Sequence, residues 1–370
     1  MPRSPLPPRE GISATRLRAP GGHETHALAD VPVPDSVDAM LTLLIPDSTP
    51  EARAALVTEG HLCTAEAGPA QLSDPVIPGA FYWFYRPVPP ERRVPFEIGI
   101  VHEDEELLVI DKPHFLASTP NGRFVRECAV TRLRFERAEP DLVAIHRLDR
   151  VTAGLLVLSR RPQTRGRYQR LFQDKAVTKT YRALALLPPG FDPASVPQER
   201  RTRLEKTSGD RQVREVPGEA NTLTRISLAA VHEVPCPGAG SGASAAHVAG
   251  TGASAAGEET VQIGEFVLQP VTGKTHQLRV HMNGLGLPIL GDPVYPVDVN
   301  PDPYDFSSPL QLLAAELSFA DPLTGHKREL ATGLRLDPAA AWAQLGCAEM
   351  SQGWHSSAAS LRRCRVTVTT

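Results

Sequence analysis

The chain is short of several things, and each shortage excludes a class of protein. Only five cysteines occur in its 370 residues (Cys63, Cys128, Cys236, Cys347 and Cys364), and no two form a CxxC pair. An odd, scattered set gives neither a disulfide framework nor a structural zinc site, and it points to a reducing cytoplasm. No apolar run approaches the roughly 20 residues of a membrane-spanning helix. The opening "MPRSPLPPREGISATRLRAPGG" is basic and proline-rich but lacks the apolar stretch of a signal peptide. No membrane partner is expected. Net basic charge is missing as well: the formal charge is -3, which by itself argues against a nucleic-acid binder.

What is present begins with ordinary soluble composition, 41% hydrophobic and 22% charged. The charge is unevenly spread. Between Arg123 and Arg182 stand 15 Lys and Arg against 6 Asp and Glu, a local excess of nine positive charges, while the remainder carries twelve negative. A solvated basic face is the plain reading of such a run. A surface that tracks phosphates beside a functional site is the alternative.

Patterning divides the chain. Residues 1–35 lack hydrophobic periodicity and read as a disordered tail. Residues 36–94 read as a small α/β module: "SVDAMLTLLI" is helical, "PEARAALVTEG" is a capped helix stopped by Gly60, and a proline-rich linker follows. From residue 95 to 345, strands and helices are interspersed, with several turns too short for parallel crossovers. A mixed, largely antiparallel α+β sheet with flanking helices is therefore expected. "TRISLAAVHEV" and "VQIGEFVLQPVTG" read as adjacent strands, and the low-complexity stretch 235–259 as a flexible insertion in their hairpin. Residues 346–370 read as a tail.

The stretch "IHRLDRVTAGLLVLSR" puts His146, Arg147, Asp149 and Arg150 in a turn between apolar runs. A carboxylate held between arginines favours its anionic form. The plain reading is an ion pair that pins the turn. Thr152 and Gly154 add a polar handle and a close backbone approach. Downstream, "PVTGKTHQLRVHMNGLGLPILGDPVY" gives Thr275 as a possible N-cap of a short helix ending at Gly284. His276 and His281, five apart, do not suit a metal site. Arg279 carries a fork that can hold a carboxylate bidentately. Tyr181 in "KTYRAL" reads first as a core aromatic with a wet tip.

Together these stretches carry a resemblance. "HRLDRVTAGLLVLS", "DKP" at residues 111–113, "KTYRAL", "TGKTHQLRVH" and "GDPVY" resemble, in order, the motifs of the RluA-type pseudouridine synthases. The likeness spans residues 95–335. Ala153 stands where that family usually has Ser, Lys274 where it has Arg, and "LQLLAAEL" lacks a His common there. "ARAALVTEGHLCT" resembles a degenerate form of the small alpha-L RNA-binding domain that often precedes this catalytic domain.

The resemblance implies an isomerase that cuts the N1–C1′ bond of a uridine in ribosomal or transfer RNA, turns the base and rejoins it through C5. Asp149 is implied as the essential carboxylate, nucleophile or base, with Arg279 fixing it. Tyr181 is implied to stack on the flipped base and to help remove the C5 proton. Lys112, His146, Arg147, Arg150, Thr152, Lys179, Lys274, Thr275 and His276 are implied to face RNA. No cofactor and no metal are implied, and a monomer is expected. The rival readings are a catalytically silent RNA-binding protein and an RNA N-glycosidase.

Overall fold

The computed structural model describes residues 4–23, 25–64, 68–236 and 260–351. Contacts divide the chain into two units: Met1–Arg92 with Thr119–Leu142, and Arg93–Ser118 with Val143–Thr370.

In the first unit, strands β1 (Thr15–Arg18), β2 (Cys63–Thr64) and β3 (Phe81–Phe84) form a sheet in the order β1-β3-β2. Helices α1 (Val37–Leu44), α2 (Pro50–Thr58) and α3 (Ala129–Glu136) accompany it. The predicted stop at Gly60 holds, and side chains cap both helix starts. Ser36 accepts a hydrogen bond from the Ala39 N–H, Thr49 accepts one from Ala52, and Gly60 takes the left-handed conformation after α2. Val37, Met40 and Leu41 of α1 pack against Leu56, Leu62, Tyr82 and Phe84.

Two expectations are corrected here. Thr15–Arg18 lies in the predicted disordered tail, yet it pairs with β3, and Leu17 and Ala19 join the core. One alternating tetrapeptide suffices when a partner strand supplies its hydrogen bonds. Segment Thr119–Leu142, expected in the larger domain, clusters with the first unit.

The second unit is built on an eleven-stranded sheet. Its strands are β4 (Gly99–Glu103), β5 (Leu107–Lys112), β6 (Val143–Ala144), β7 (Ala153–Ser159), β8 (Thr178–Leu186), β9 (Glu199–Glu205) and β10 (Arg214–Val216). They continue with β11 (Thr222–Pro235), β12 (Thr260–Pro270), β13 (Leu312–Ala320) and β14 (Lys327–Ala331). The order is β10-β9-β11-β12-β8-β13-β7-β5-β4, with β14 on β13 and β6 on β7. Among the described pairings only β7 with β13 is parallel, so the sheet is mixed and largely antiparallel, an α+β fold as expected.

Helices α4 (Pro162–Gln173), α5 (Gln277–Asn283) and α6 (Pro338–Ser351) flank this sheet. The apolar stripe of α4, Tyr168 with Leu171 and Phe172, packs on Leu107, Val109 and Val157. β11 and β12 are antiparallel neighbours, with Pro235 opposite Thr260. The insertion between them lies outside the described residues apart from its first two. Helix α6 runs to Ser351, into the stretch expected to be a tail, and the rest of that tail lies outside the described residues. No helix among the described residues is long and apolar enough to cross a membrane.

Candidate active site

The charged turn connects β6 to β7, and its backbone is held carbonyl by carbonyl. The Ser118 hydroxyl donates to Leu148 O (2.8 Å) and accepts from Leu148 N (3.0 Å). Asp149 O accepts the Thr152 N–H at 3.1 Å, closing the turn. Arg150 O accepts from Lys112 Nζ at 3.2 Å, and Val151 O bonds His114 Nδ1 at 2.8 Å. Arg150 returns the contact by donating to Phe115 O and Pro303 O, both at 3.1 Å. Immediately after the turn, Gly154 has φ +107°, and a Cβ there would lie 2.3 Å from Ala314 O. Glycine is required because β13 runs against β7 at that point. A turn with its carbonyls engaged and its exit strand pressed on a neighbour holds the Asp149 side chain in one place.

Helix α5 brings the partner. Gln277 anchors its start by donating to Leu223 O (3.0 Å) and Thr224 Oγ1 (2.9 Å) while accepting from Thr272 and Lys274. The cap residue is His276, at φ 54° and without a side-chain cap bond; Thr275, the predicted cap, is exposed. The helix stops at Gly284, as expected.

Arg279, 2% exposed, donates through Nη1 to Asp149 Oδ2 at 3.1 Å. Its bidentate fork goes elsewhere: Nε and Nη2 donate to Asp292 Oδ2 and Oδ1 at 2.8 and 2.6 Å. Asp292 is 1% exposed and also accepts the Val294 and Tyr295 N–H groups. Burial disfavours the Arg279 charge, but Asp292 and then Asp149 outweigh it and raise its pKa. Asp292, which the sequence reading does not single out, is the acid of the "GDPVY" motif; a carboxylate in a motif that accompanies the Arg279 helix is the usable signal.

His276 faces the same oxygen, Nε2 lying 3.8 Å from Asp149 Oδ2. No donor among the described residues reaches the other oxygen, Oδ1. Tyr181 lies on β8, opposite Ala314 of β13, and packs with Val151 on a core that includes Leu268, Leu278 and Met282. Burial, then the Asp149 carboxylate, push its phenol above the ordinary value, so it keeps its proton at neutral pH.

The residues expected to face RNA separate into two groups. Arg147, Lys274 and Thr275 are exposed, and Lys179 is half-buried. Lys112 is fully buried, its Nζ donating to Pro113 O, Leu116 O and Arg150 O. Thr152 is buried. The His146 ring stacks on Phe172 with centroids 4.6 Å apart, and its Nε2 accepts the Val157 N–H at 3.1 Å. Burial and then Lys179 pull its pKa down to about 3, so it is neutral. Lys112, Thr152 and His146 therefore build the turn and offer no charged surface, which corrects the expectation for them. Arg150 is spent on two backbone carbonyls. His281, the other histidine of that stretch, bonds Thr202, Thr222 and Thr224.

The basic window is corrected in the same way. Arg160 pairs with Glu103, Arg161 with Glu105 and Glu106, and Arg182 with Glu265. Acidic residues outside the window thus neutralise part of its excess, which a count along the chain does not show.

A family profile described as RNA pseudouridylate synthase matches residues 106–284. The chain is 32% identical over 231 residues to the dual-specificity RNA pseudouridine synthase RluA of Vibrio vulnificus, covering 62% of this chain and 81% of that one. It is 30% identical over 197 residues to the tRNA pseudouridine(31) synthase of Saccharomyces cerevisiae, covering 53% and 46%. A human structure, RNA pseudouridylate synthase domain containing 4, aligns over 67% of this chain and 92% of its own with 23% identity and a TM-score of 0.45. The profile's span takes in the carboxylate turn, Tyr181 and Arg279, and the chain belongs to the RluA-type family of RNA pseudouridine synthases, isomerases that turn uridine in RNA into pseudouridine.

Proposed function

We propose that Asp149 is the catalytic carboxylate of this isomerase, with Arg279 holding it and Tyr181 stacking on the flipped uridine. The observation that carries the reading is the asymmetry at Asp149. One oxygen is fixed by a buried arginine, itself locked on Asp292, while the other has no protein donor among the described residues and the side chain is 31% exposed. An anion so held acts as nucleophile or base through its open oxygen without reorganising. Tyr181, neutral and with no hydrogen bond to its hydroxyl among the described residues, offers a flat face at the core's edge. Its raised pKa favours stacking over proton removal.

The target is a uridine of ribosomal or transfer RNA. The yeast relative is named for transfer RNA and the Vibrio relative for dual specificity, which supports that range. Exposed Arg147 and Lys274, with Thr275 and Lys179, meet its phosphates and sugars. The protein acts as a monomer in the cytoplasm, and no metal or cofactor takes part.

Catalytic silence is disfavoured by Ala153. It is buried at the start of β7, opposite Leu313, where the missing hydroxyl would contact core and not substrate. The test is Asp149→Asn assayed on unmodified ribosomal and transfer RNA, reading pseudouridine and free uracil separately. Folded Asn variant with RNA affinity retained and no pseudouridine is the expected result. Pseudouridine at the wild-type rate sinks the assignment, and free uracil from the wild type would mean an N-glycosidase.

A further inference from the structure

Asp149 Oδ2 is approached from two sides, and the second approach belongs to a hydrogen-bonded chain. His276 Nε2 stands 3.8 Å from that oxygen, and His276 Nδ1 is 3.1 Å from the Tyr295 hydroxyl. The two rings meet edge to face with centroids 5.7 Å apart. The Tyr295 hydroxyl accepts the Val213 N–H at 2.7 Å and lies 3.1 Å from Val213 O. Gln212 donates to Val294 O at 2.8 Å, so the segment before β10 is sewn to the "GDPVY" segment at two points. His276 itself is held at φ 54°, a conformation uncommon for a residue with a side chain, which fixes where its ring points.

We propose that His276 is a positioning residue for Asp149 and that Tyr295, braced by Val213, sets its tautomer. This rests on the assignment of Asp149 given above. The hydroxyl of Tyr295 has one proton and two acceptors within reach, Val213 O and His276 Nδ1. When it donates to Nδ1, the imidazole hydrogen sits on Nε2 and faces Asp149. Arg279 and His276 then both address Oδ2, leaving Oδ1 as the oxygen that meets the nucleotide.

The charged and titratable groups around His276 are Asp149 from the β6–β7 turn, Arg279 from α5, Asp292 and Tyr295 from the following segment, and Lys206 after β9. Burial and then Arg279 push its pKa down, with Lys206 in the same sense and the two aspartates opposed. The ring is therefore neutral at neutral pH. A second proton in acid would set a full positive charge against Oδ2 and weaken the carboxylate as nucleophile or base.

The experiment uses the full chain and unmodified ribosomal and transfer RNA from cells lacking it. His276→Asn keeps a residue that tolerates the left-handed backbone but shortens the side chain. It is expected to lower kcat by about 10- to 100-fold, the scale of a misplacement of about 1 Å, with KM changed by less than about 2-fold. The acidic limb of its kcat–pH profile should move to lower pH. His276→Gln, which can still present an N–H to Oδ2, should recover most of the rate. Tyr295→Phe should lower kcat, and combined with His276→Asn the losses should not add.

Three results overturn the proposal: an unchanged kcat and pH profile in folded His276→Asn, a loss confined to KM, or additive losses in the double variant. Asp149→Asn assayed in parallel separates the failures. If it is active, the catalytic assignment falls; if it is inactive while His276→Asn is normal, only the positioning role falls.

Discussion

Two basic regions of the second unit look alike in sequence and differ in what their cations touch. At the β9–β11 end of the sheet, Arg200 pairs with Glu215, Arg201 and Arg225 with Glu199, Arg203 with Glu205, Arg211 with Asp298 and Arg214 with Asp210. Around the Asp149 turn, Lys112 and Arg150 instead bind backbone carbonyls. A carboxylate cancels a cation's field, whereas a backbone carbonyl held by a cation fixes the course of the chain. The cations of the turn therefore hold its backbone in place beneath Asp149. The sheet end sets six arginines against acidic partners and is close to neutral.

The sharpest way to break this comparison is to remove one arginine from each region. Arg279→Met strands Asp292 as a buried anion and frees Asp149, so we expect a stability loss of about 3–5 kcal/mol together with near-complete loss of turnover. Arg203→Met on the exposed sheet end should change stability by less than about 0.5 kcal/mol and leave turnover alone. Chemical denaturation and single-turnover assays on the pair check this; equal losses would erase the distinction.

The next effect depends on pH. Burial, opposed by Asp149 and reinforced by Arg150, pulls Lys112 down to about 7. The unfolded chain holds this proton to above pH 10, while the folded chain releases it near 7. Between those values the unfolded state binds more protons, so folding stability rises with pH. Measured against Lys112→Met, whose difference isolates this group, wild type should gain up to about 1.4 kcal/mol per pH unit across that window. A flat difference would show that the ammonium is not desolvated as the structure places it.

Acid acts through the histidines. Burial pulls His146 to about 3, and His114 and His281 to about 4, with Lys179, Lys112 and Arg200 respectively adding to the effect. Unfolded histidines take protons from about pH 6.5 downward. Stability should therefore fall as pH drops from about 6.5 to about 4, and His281→Gln should soften that fall if the amide keeps the threonine contacts. Thermal melts over this range test it.

The smallest effect concerns salt. Arg147 and Lys274 are exposed and have no carboxylate partner among the described residues. Neutralising either with Gln should reduce the slope of log affinity against log salt by about 1, uniformly across RNA sequences. Arg201→Gln at the sheet end should leave the slope as it is. A larger change for Arg201 than for Arg147 would reverse the roles of the two regions.

Much of this was legible along the chain. Helical patterning, the stop at Gly60 and apolar runs placed α1, α2, β7, β11 and β12, because these signals act within a few residues. The ordered motifs, through the resemblance they carry, brought Asp149, Tyr181 and Arg279 to attention, and the structure puts all three around one turn. What only the tertiary structure decided is which polar groups face outward. Nothing local distinguishes Lys112 or His146 from Arg147; the burial of the first two follows from strands and a helix packed over them from elsewhere in the sequence. Asp292 as the true holder of the Arg279 fork, and acids outside the basic window as its neutralisers, are equally long-range facts. Local hydrogen bonding and periodicity are written in neighbouring residues, whereas desolvation and ion pairing depend on the three-dimensional neighbourhood, which no stretch of sequence contains.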